Sequence, residues 1–391
     1  MPWRVRLSNR KWRMRVSCYF CPGMPDIFQG ALERMVRRID QTGLQLKGAF
    51  PHYADAKGDW TTTPDGDWTG GFWPGMCWLA AKATAGARYR RWALEWAERL
   101  RPRATSDTAF RGFLFYYSAV LGAVLFNDPA AREIALDGAR HWARTYNPNA
   151  GCFPLGDAAE EAADVGQGEA SVDTVQGAAL LVWAAQAANE PALRELAVVH
   201  ARRHVEFCVR DDGSVCQSAS FDPLTGALRR RYTHKGLTDE STWARAQAWA
   251  ILGYALMHQW TGERDFLDVA LKCADWWIAH VPPSRVAYWD FDAPAGPDTE
   301  HDSSATAITA AALLKLAAAL KDAQRRKEIR AAAEGTVRVL VEGYLDTRGI
   351  LDRGCYSKRN NVATRNELIW GSYYLFEALC VLTGKLDAAK I

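Results

Sequence analysis

The sequence lacks a strong excess of charge of either sign. Its 391 residues contain 48 Lys and Arg against 45 Asp and Glu, a net charge of +3, and 49% of the residues are hydrophobic. Chains that wrap nucleic acid carry a larger basic excess, and disordered chains carry fewer apolar residues. The composition therefore indicates a globular protein and gives no reason to expect nucleic acid as a partner.

The sequence also lacks a long apolar segment near its start. The N-terminus is basic, but the apolar stretch that follows, VSCYFCPGM, is short and is interrupted by Pro22 and Gly23. This is too little for a secretory leader or a membrane span. We expect residues 1–25 to form a poorly ordered extension. We also expect that the protein has no membrane partner and that it is cytoplasmic.

Regular cysteine spacing is absent as well. The nine cysteines are odd in number and scattered, which favours reduced thiols over a disulfide framework. Cys18 and Cys21 form a CxxC pair, but no second pair lies near enough to complete a four-thiolate zinc site. We therefore expect no metal or redox centre at this pair.

Alternating strand-like periodicity is brief, and helical periodicity dominates from residue 26 onward. About eleven or twelve segments place apolar residues three and four positions apart. Some carry charge on one face, such as RYRRWALEWAERL, whereas others are small and apolar nearly all round, such as SSATAITAAALLKLAAAL. Two concentric helical layers fit this contrast, so we predict an all-α protein, an (α/α)6 barrel or six-hairpin toroid, with residues 26–391 as a single domain. A helical solenoid would need a repeat of fixed period, and none is found.

The segments before several of the apolar helices are long and rich in Gly, Asp, Trp and His. Loops of such length in a compact domain are usually functional. The stretch DWTGGFWPGMCWLA, which begins at Asp67, is the densest in aromatic residues, and the chain has 17 Trp in all. Because aromatic faces stack on sugar rings, we interpret Trp68 and Trp249 as substrate-binding residues. Other tryptophans are predicted to be core: Trp78, Trp183, Trp276 and Trp277.

Two aspartates have settings that suit acid/base chemistry. Asp173 lies in the apolar stretch SVDTVQGAALLVW, where poor hydration would raise the pKa of a carboxyl group and make it a general acid. Helix capping is an equally good explanation from sequence alone. Asp107 precedes the aromatic segment FRGFLFYYS, and two facing carboxyl groups would favour one protonated and one ionised form.

These residues belong to a set of motifs that resembles the unsaturated glucuronyl hydrolases of glycoside hydrolase family 88. The set includes DWTGGFW, SVDT, FDPLTG, THKGLTDESTWARAQAWA, YWDFDAP and LIWGSYYLFEAL, in order, from about Phe50 to Leu382. The resemblance implies the same (α/α)6 barrel, no metal or organic cofactor, and an unsaturated uronyl oligosaccharide as the partner molecule. It also implies that the enzyme releases a Δ4,5-unsaturated uronic acid from such an oligosaccharide. In this reaction a proton is added at C4, water adds at C5, and the resulting hemiketal collapses to release the linked sugar.

The resemblance also implies roles for single residues. Asp173 corresponds to the general acid and base, and Asp107 to a second carboxylate that contacts ring hydroxyls. Arg245 is a plausible partner for negative charge on the substrate. The remaining positions that the resemblance places in substrate binding are Trp68, Trp249, His234, Gln217, Gln247, Ser357 and Lys358.

Several pocket positions depart from the family pattern. Ser106 and Gln217 stand where His is usual, Leu155 where Trp is expected, Lys235 where Gln is usual, and Ser357 where His often occurs. Loss of a stacking or hydrogen-bonding group costs on the order of 1–3 kcal/mol with the usual ligand, so either the substrate differs or the pocket compensates. Because both aspartates are retained, we expect the same reaction on a different substrate.

Two alternatives remain open at this point. One is an unsaturated rhamnogalacturonyl hydrolase, which has the same barrel and chemistry, and the other is a non-catalytic carbohydrate-binding barrel. Retention of both Asp107 and Asp173 argues against a binding protein, which needs no proton donor. The protein is expected to be a monomer or a homodimer.

Overall fold

The computed structural model describes residues 27–159 and 166–391. The predictions for residues 1–25, including the CxxC pair at Cys18 and Cys21, lie outside this range. Across the described part of the chain, none of the helices combines the length and apolar character that crossing a bilayer requires. All seven cysteines in these two ranges are buried and unbonded to one another.

Helices account for most of the described chain. In chain order they are α1 (Ile27–Gln45), α2 (Phe72–Thr84), α3 (Ala87–Arg99), α4 (Arg111–Phe115), α5 (Leu121–Phe126), α6 (Pro129–Ala143), α7 (Ala179–Ala188), α8 (Pro191–Cys208), α9 (Ala244–Thr261), α10 (Arg264–His280), α11 (Ser303–Ala319), α12 (Ala323–Gly343) and α13 (Ile369–Leu382). A π-helical turn, Tyr116–Val120, joins α4 to α5, so these two form one continuous helical segment.

The helices form two layers, as the sequence predicts. In α11 every residue from Ser303 to Ala317 is buried, whereas the outer helix α12 buries only one stripe, including Ile329, Ala333 and Val337. The inner helices α9, α11, α13 and α2 pack in that order, and α10, α12 and α3 pack on their outside. Apolar residues on all faces suit the inner ring, and one-sided amphipathic helices suit the outer ring. The prediction of an all-α (α/α)6 barrel is confirmed.

Glycines let the aromatic inner segments approach one another closely. Gly71 caps the start of α2, and a Cβ atom there would lie 2.3 Å from the carbonyl oxygen of Phe113. Gly112 and Gly177 meet in the same way, since a Cβ on Gly112 would lie 2.4 Å from the Cα of Gly177. Of the glycines beside the tryptophans of residues 67–80, Gly71 therefore permits backbone contact between α2 and α4.

Two small antiparallel sheets lie in the long loops, and the sequence does not predict them. One has the order β2 (Trp60–Thr63), β1 (Phe50–Ala54), β6 (Glu367–Leu368), and the other has the order β3 (Glu169–Ser171), β4 (Ser218–Phe221), β5 (Leu228–Tyr232). Strands of two to five residues are too short for a two-residue period to be recognised. Each sheet is built from segments that precede inner helices, so both lie where these helices begin.

Candidate active site

A small cavity lies at the end of the barrel where the inner helices begin. It is lined by Trp68, Phe110, Phe113, Asp173, Lys235, Trp243, Arg245 and Trp249. Loops supply some of these residues and the first turns of α9 supply others. The cavity therefore brings together the predicted acid, both predicted stacking tryptophans and the predicted arginine.

Asp173 is held in a short 3-10 turn, Val172–Thr174, directly after strand β3. The backbone N–H of Val172 donates to the carbonyl oxygen of Gln217 over 2.9 Å, and the Thr174 hydroxyl donates to the carbonyl oxygen of Ser171 over 2.7 Å. Asp173 is only 6% exposed. Because Ala178 occupies the N-cap of α7, Asp173 does not cap that helix, and its burial in the cavity wall agrees with the prediction of a poorly hydrated carboxyl group.

The second predicted carboxylate, Asp107, is half-buried before α4 and does not line this cavity. Its Oδ2 atom accepts hydrogen bonds from the backbone N–H of Asp157, at 3.0 Å, and from the Gln167 side chain, at 2.8 Å. These bonds tie Asp107 to the long loop that leads into β3. The cooperation of Asp107 with Asp173 stays a prediction.

The two candidate stacking residues form part of an aromatic wall. Trp68 is 8% exposed, its Nε1–H donates to the Tyr356 hydroxyl over 3.3 Å, and its ring centroid lies 4.8 Å from that of Trp370. Trp249 lies on α9 and meets Phe113 edge to face, with ring centroids 5.1 Å apart. Both tryptophans are fixed by neighbouring rings, so their cavity-facing surfaces are rigid.

Arg245 lines the cavity, but its guanidinium is already engaged by the protein. Its Nη1 atom donates to Asp302 and to the carbonyl oxygen of Cys355, both at 2.7 Å, and its Nη2 atom donates to the carbonyl oxygen of Tyr356 at 2.5 Å. Arg245 is 1% exposed and Asp302 is fully buried. Asp302 thus balances the charge of Arg245 within the protein, and a contact of Arg245 with negative charge on the substrate stays a prediction.

A second cluster lies beside the cavity around the buried carboxylate of Glu169 on β3. The Glu169 carboxylate pairs with His234 Nε2 over 2.7 Å and accepts a hydrogen bond from the Tyr232 hydroxyl. Burial and the adjacent carboxylate raise the pKa of Tyr232, which therefore stays a hydrogen donor. His234 does not line the cavity. Sequence reasoning missed Glu169, although its place four residues before Asp173 was a usable signal.

Gln217 stabilises the neighbouring turn and does not reach the cavity. Its Oε1 atom accepts from the Thr233 hydroxyl at 2.7 Å, from the backbone N–H of His234 at 3.0 Å and from that of Lys235 at 3.1 Å. Its amide oxygen thus holds the residues that border the site. A contact of Gln217 with substrate stays a prediction.

The other predicted substrate-binding residues also lie outside the cavity lining. Gln247 is fully buried and donates to the carbonyl oxygens of Gly213 and Cys273, at 2.9 and 3.0 Å, because its side chain points away from the cavity. Ser357 is 2% exposed, and its backbone pairs with Val362. Lys358 is half-buried, with its Nζ atom 2.8 Å from Glu300. The substrate-binding roles of Gln247, Ser357 and Lys358 stay predictions.

Four cavity-lining residues were not among the predicted ligands. Phe110, Phe113 and Trp243 complete the aromatic wall, and Lys235 adds a positive charge. The aromatic density around Phe110 and the position of Trp243 in STWARAQAW were visible signals. Lys235 was visible only as a departure from the family pattern.

No protein-family model matches this chain. Among curated proteins, the unsaturated glucuronyl hydrolase of Bacillus sp. (strain GL1) is 36% identical over 344 residues, which cover 84% of this chain and 90% of that protein. The unsaturated chondroitin disaccharide hydrolase of Streptococcus pyogenes serotype M1 is 27% identical over 90% of each chain.

Among solved structures, the crystal structure of the unsaturated glucuronyl hydrolase from Bacillus sp. GL1, described as responsible for the degradation of glycosaminoglycan, superposes with a TM-score of 0.86. It has 34% identity and covers 91% of this chain and 96% of its own. Both the sequence identity and the shared barrel thus relate this chain to unsaturated glucuronyl hydrolases. The chain belongs to the unsaturated glucuronyl hydrolase family of glycoside hydrolases.

Proposed function

We propose that this hydrolase releases a Δ4,5-unsaturated uronic acid from the non-reducing end of oligosaccharides left by polysaccharide lyases, and that Asp173 is its general acid and base. Because the substrate is an enol ether, protonation at C4 places positive charge on C5 and the ring oxygen. A water molecule then adds at C5 and gives up a proton to the carboxylate left by the first step. The resulting hemiketal opens and collapses, and the linked sugar leaves.

The placement of Asp173 is the observation that carries this proposal. A carboxyl group that is 6% exposed shares a small cavity with the rings of Trp68 and Trp249. Aromatic faces suit a flat unsaturated sugar ring, and a sheltered acid suits proton transfer to a carbon atom. We propose that the unsaturated ring binds against this aromatic wall and that the linked sugar extends toward the loops.

Asp107 is proposed to assist from the margin of the site. Its bonds to Asp157 and Gln167 connect it to the loop that precedes β3 and Asp173. We propose that it contacts ring hydroxyls once substrate is bound.

The linked sugar is the least defined part of the substrate. The similar proteins named above act on glucuronyl and chondroitin-derived substrates, so we propose glycosaminoglycan-derived or related disaccharides as the first class to test. The experiment is a panel of lyase-generated disaccharides from hyaluronan, chondroitin, heparin, gellan, xanthan and pectin, followed by the loss of ultraviolet absorbance of the conjugated double bond. Preference for the Δ-galacturonyl member would assign the rhamnogalacturonyl alternative, and no turnover of any member would contradict the proposal.

We further propose a cytoplasmic location, which the seven buried, unbonded cysteines of the described residues support. A monomer or a homodimer is expected in solution. Cell fractionation and light scattering test these two points separately.

A further inference from the structure

A buried pair of histidines on the outer helix α8 lies against the turn that carries Asp173. The side chains of His200 and His204 are fully buried, and their ring centroids are 4.1 Å apart. The hydroxyl oxygen of Thr174, the residue after Asp173, lies 3.2 Å from His200 Nε2 and 3.5 Å from His204 Nε2. Neither ring lines the cavity, so Thr174 is their contact with the turn that carries the acid.

The partners of His200 assign the position of its ring hydrogen. The backbone N–H of Phe153 donates to Nδ1 over 3.1 Å, so Nδ1 is an acceptor and the hydrogen of the neutral ring is on Nε2. Burial first and His204 second hold the pKa of His200 well below its usual value, which keeps the ring neutral. The Nε2–H group of His200 therefore donates to the Thr174 hydroxyl, which in turn donates to the carbonyl oxygen of Ser171 over 2.7 Å.

His204 supplies no second hydrogen to Thr174. Its Nδ1–H group donates to the carbonyl oxygen of His200 over 2.8 Å. Burial lowers the pKa of His204 to about 4, so at neutral pH its Nε2 atom carries no hydrogen. The hydrogen bonds thus form one directed chain, from Phe153 through His200 and Thr174 to Ser171.

This chain ends on the two residues that flank Val172 and Asp173. Ser171 is the last residue of β3, and Thr174 closes the 3-10 turn, so the bond between them sets the width of the turn. The Asp173 side chain leaves the turn between these two points and lies in the cavity wall. A displacement of about 1 Å in a reacting group can lower a rate by about 100-fold. The accuracy of the turn therefore bears on proton transfer from Asp173.

We propose that Thr174 is a positioning residue, held by neutral His200, that fixes the Asp173 carboxyl group for proton transfer. The inference rests on the proposed function, in which Asp173 protonates C4 of the unsaturated sugar. Binding of the sugar ring to the aromatic wall does not require a fixed turn, whereas proton transfer does. Loss of the hydrogen-bonded chain should therefore lower kcat and leave KM nearly unchanged.

The test measures the turnover of an unsaturated disaccharide by three single variants. Thr174→Val keeps the shape of the side chain but removes the hydroxyl, and kcat should fall about 10- to 100-fold with KM within about threefold of the unaltered enzyme. Thr174→Ser keeps the hydroxyl and should keep kcat within about threefold. His200→Leu removes the donor to Thr174 and should reproduce the loss in kcat. Because both residues act in one chain, the double variant of Thr174→Val and His200→Leu should lose much less than the product of the two single losses.

Thr309→Val is the matched control. Thr309 is fully buried on α11, and its hydroxyl oxygen has no hydrogen-bond partner among residues 27–159 and 166–391. This variant should change neither kcat nor KM. Circular dichroism establishes that each variant is folded, and if Thr174→Val does not fold, His200→Leu decides by the same criteria for kcat and KM.

Three results would overturn the inference and leave the proposed function intact. They are a folded Thr174→Val enzyme with unchanged kcat, a rise in KM as large as the fall in kcat, and a Thr174→Ser enzyme as impaired as Thr174→Val. An unaltered enzyme that turns over no unsaturated disaccharide defeats the proposed function, and this inference with it.

Discussion

The buried pair of Arg245 and Asp302 gives the sharpest prediction about stability. Arg245→Ala removes three hydrogen bonds that the guanidinium donates. Oδ2 of Asp302 and the carbonyl oxygens of Cys355 and Tyr356 then lose this donor. Breaking a buried pair from one side costs about 3–5 kcal/mol. With an unfolding entropy of about 2.1 cal/mol/K per residue, a chain of 391 residues should lose about 4–6 °C in Tm.

The assay is thermal and urea unfolding of Arg245→Ala beside a matched exposed pair. Arg330 on α12 bonds Glu334 at the similar distance of 2.8 Å, but the two side chains are 49% and 42% exposed. Arg330→Ala should therefore cost less than about 1 kcal/mol. If both variants lose the same stability, or if Arg245→Ala unfolds like the unaltered protein, the structural role assigned to Arg245 is wrong.

Three further predictions concern packing, pH and binding. Gly71→Ala should lower the unfolding free energy by about 1–3 kcal/mol, because its Cβ would lie 2.3 Å from the Phe113 carbonyl oxygen. Gly30→Ala, whose Cβ would have no atom within 4 Å, should instead raise the unfolding free energy by about 0.5–1 kcal/mol. Urea titrations measure both changes. Burial lowers the pKa of His204 from 6.5 to about 4, so its neutral form stabilises the fold above pH 6.5 and about 3 kcal/mol is lost as the pH falls to 4. His204→Gln should make the dependence of unfolding free energy on pH less steep over that window, with the remainder due to His200 and His52, whose pKa values burial also lowers. An unchanged slope would contradict this. Trp68→Ala should raise KM about tenfold with a smaller loss in kcat; an unchanged KM would make Trp68 purely structural.

The sequence was sufficient for the fold because helical periodicity extends over whole helices. The contrast between α11, buried on every side, and α12, buried on one stripe, is present in composition alone. The small sheets could not be predicted in the same way, since strands such as Glu367–Leu368 depend on a partner far away in the chain. Long-range pairing of that kind leaves no local pattern.

The site was predicted in part, for a related reason. Asp173, Trp68 and Trp249, which line one cavity, were selected because their residue types are unusual in their local context. The roles of Arg245 and Gln247 were implied by the resemblance, and local context did not reveal their protein partners Asp302 and Cys273, which are contributed by other segments of the chain. Whether a polar side chain faces a ligand or a buried protein partner depends on tertiary packing that a single sequence does not specify.

The most direct test of the account is the turnover of an unsaturated disaccharide by Asp173→Asn. An amide of nearly the same shape keeps the packing of the 3-10 turn but cannot donate a proton as a carboxyl group does. We predict that Tm stays within a few degrees of the unaltered protein while the loss of ultraviolet absorbance falls by at least about a thousandfold. A folded Asp173→Asn enzyme that retains most of its activity would contradict the assignment of Asp173 as the acid.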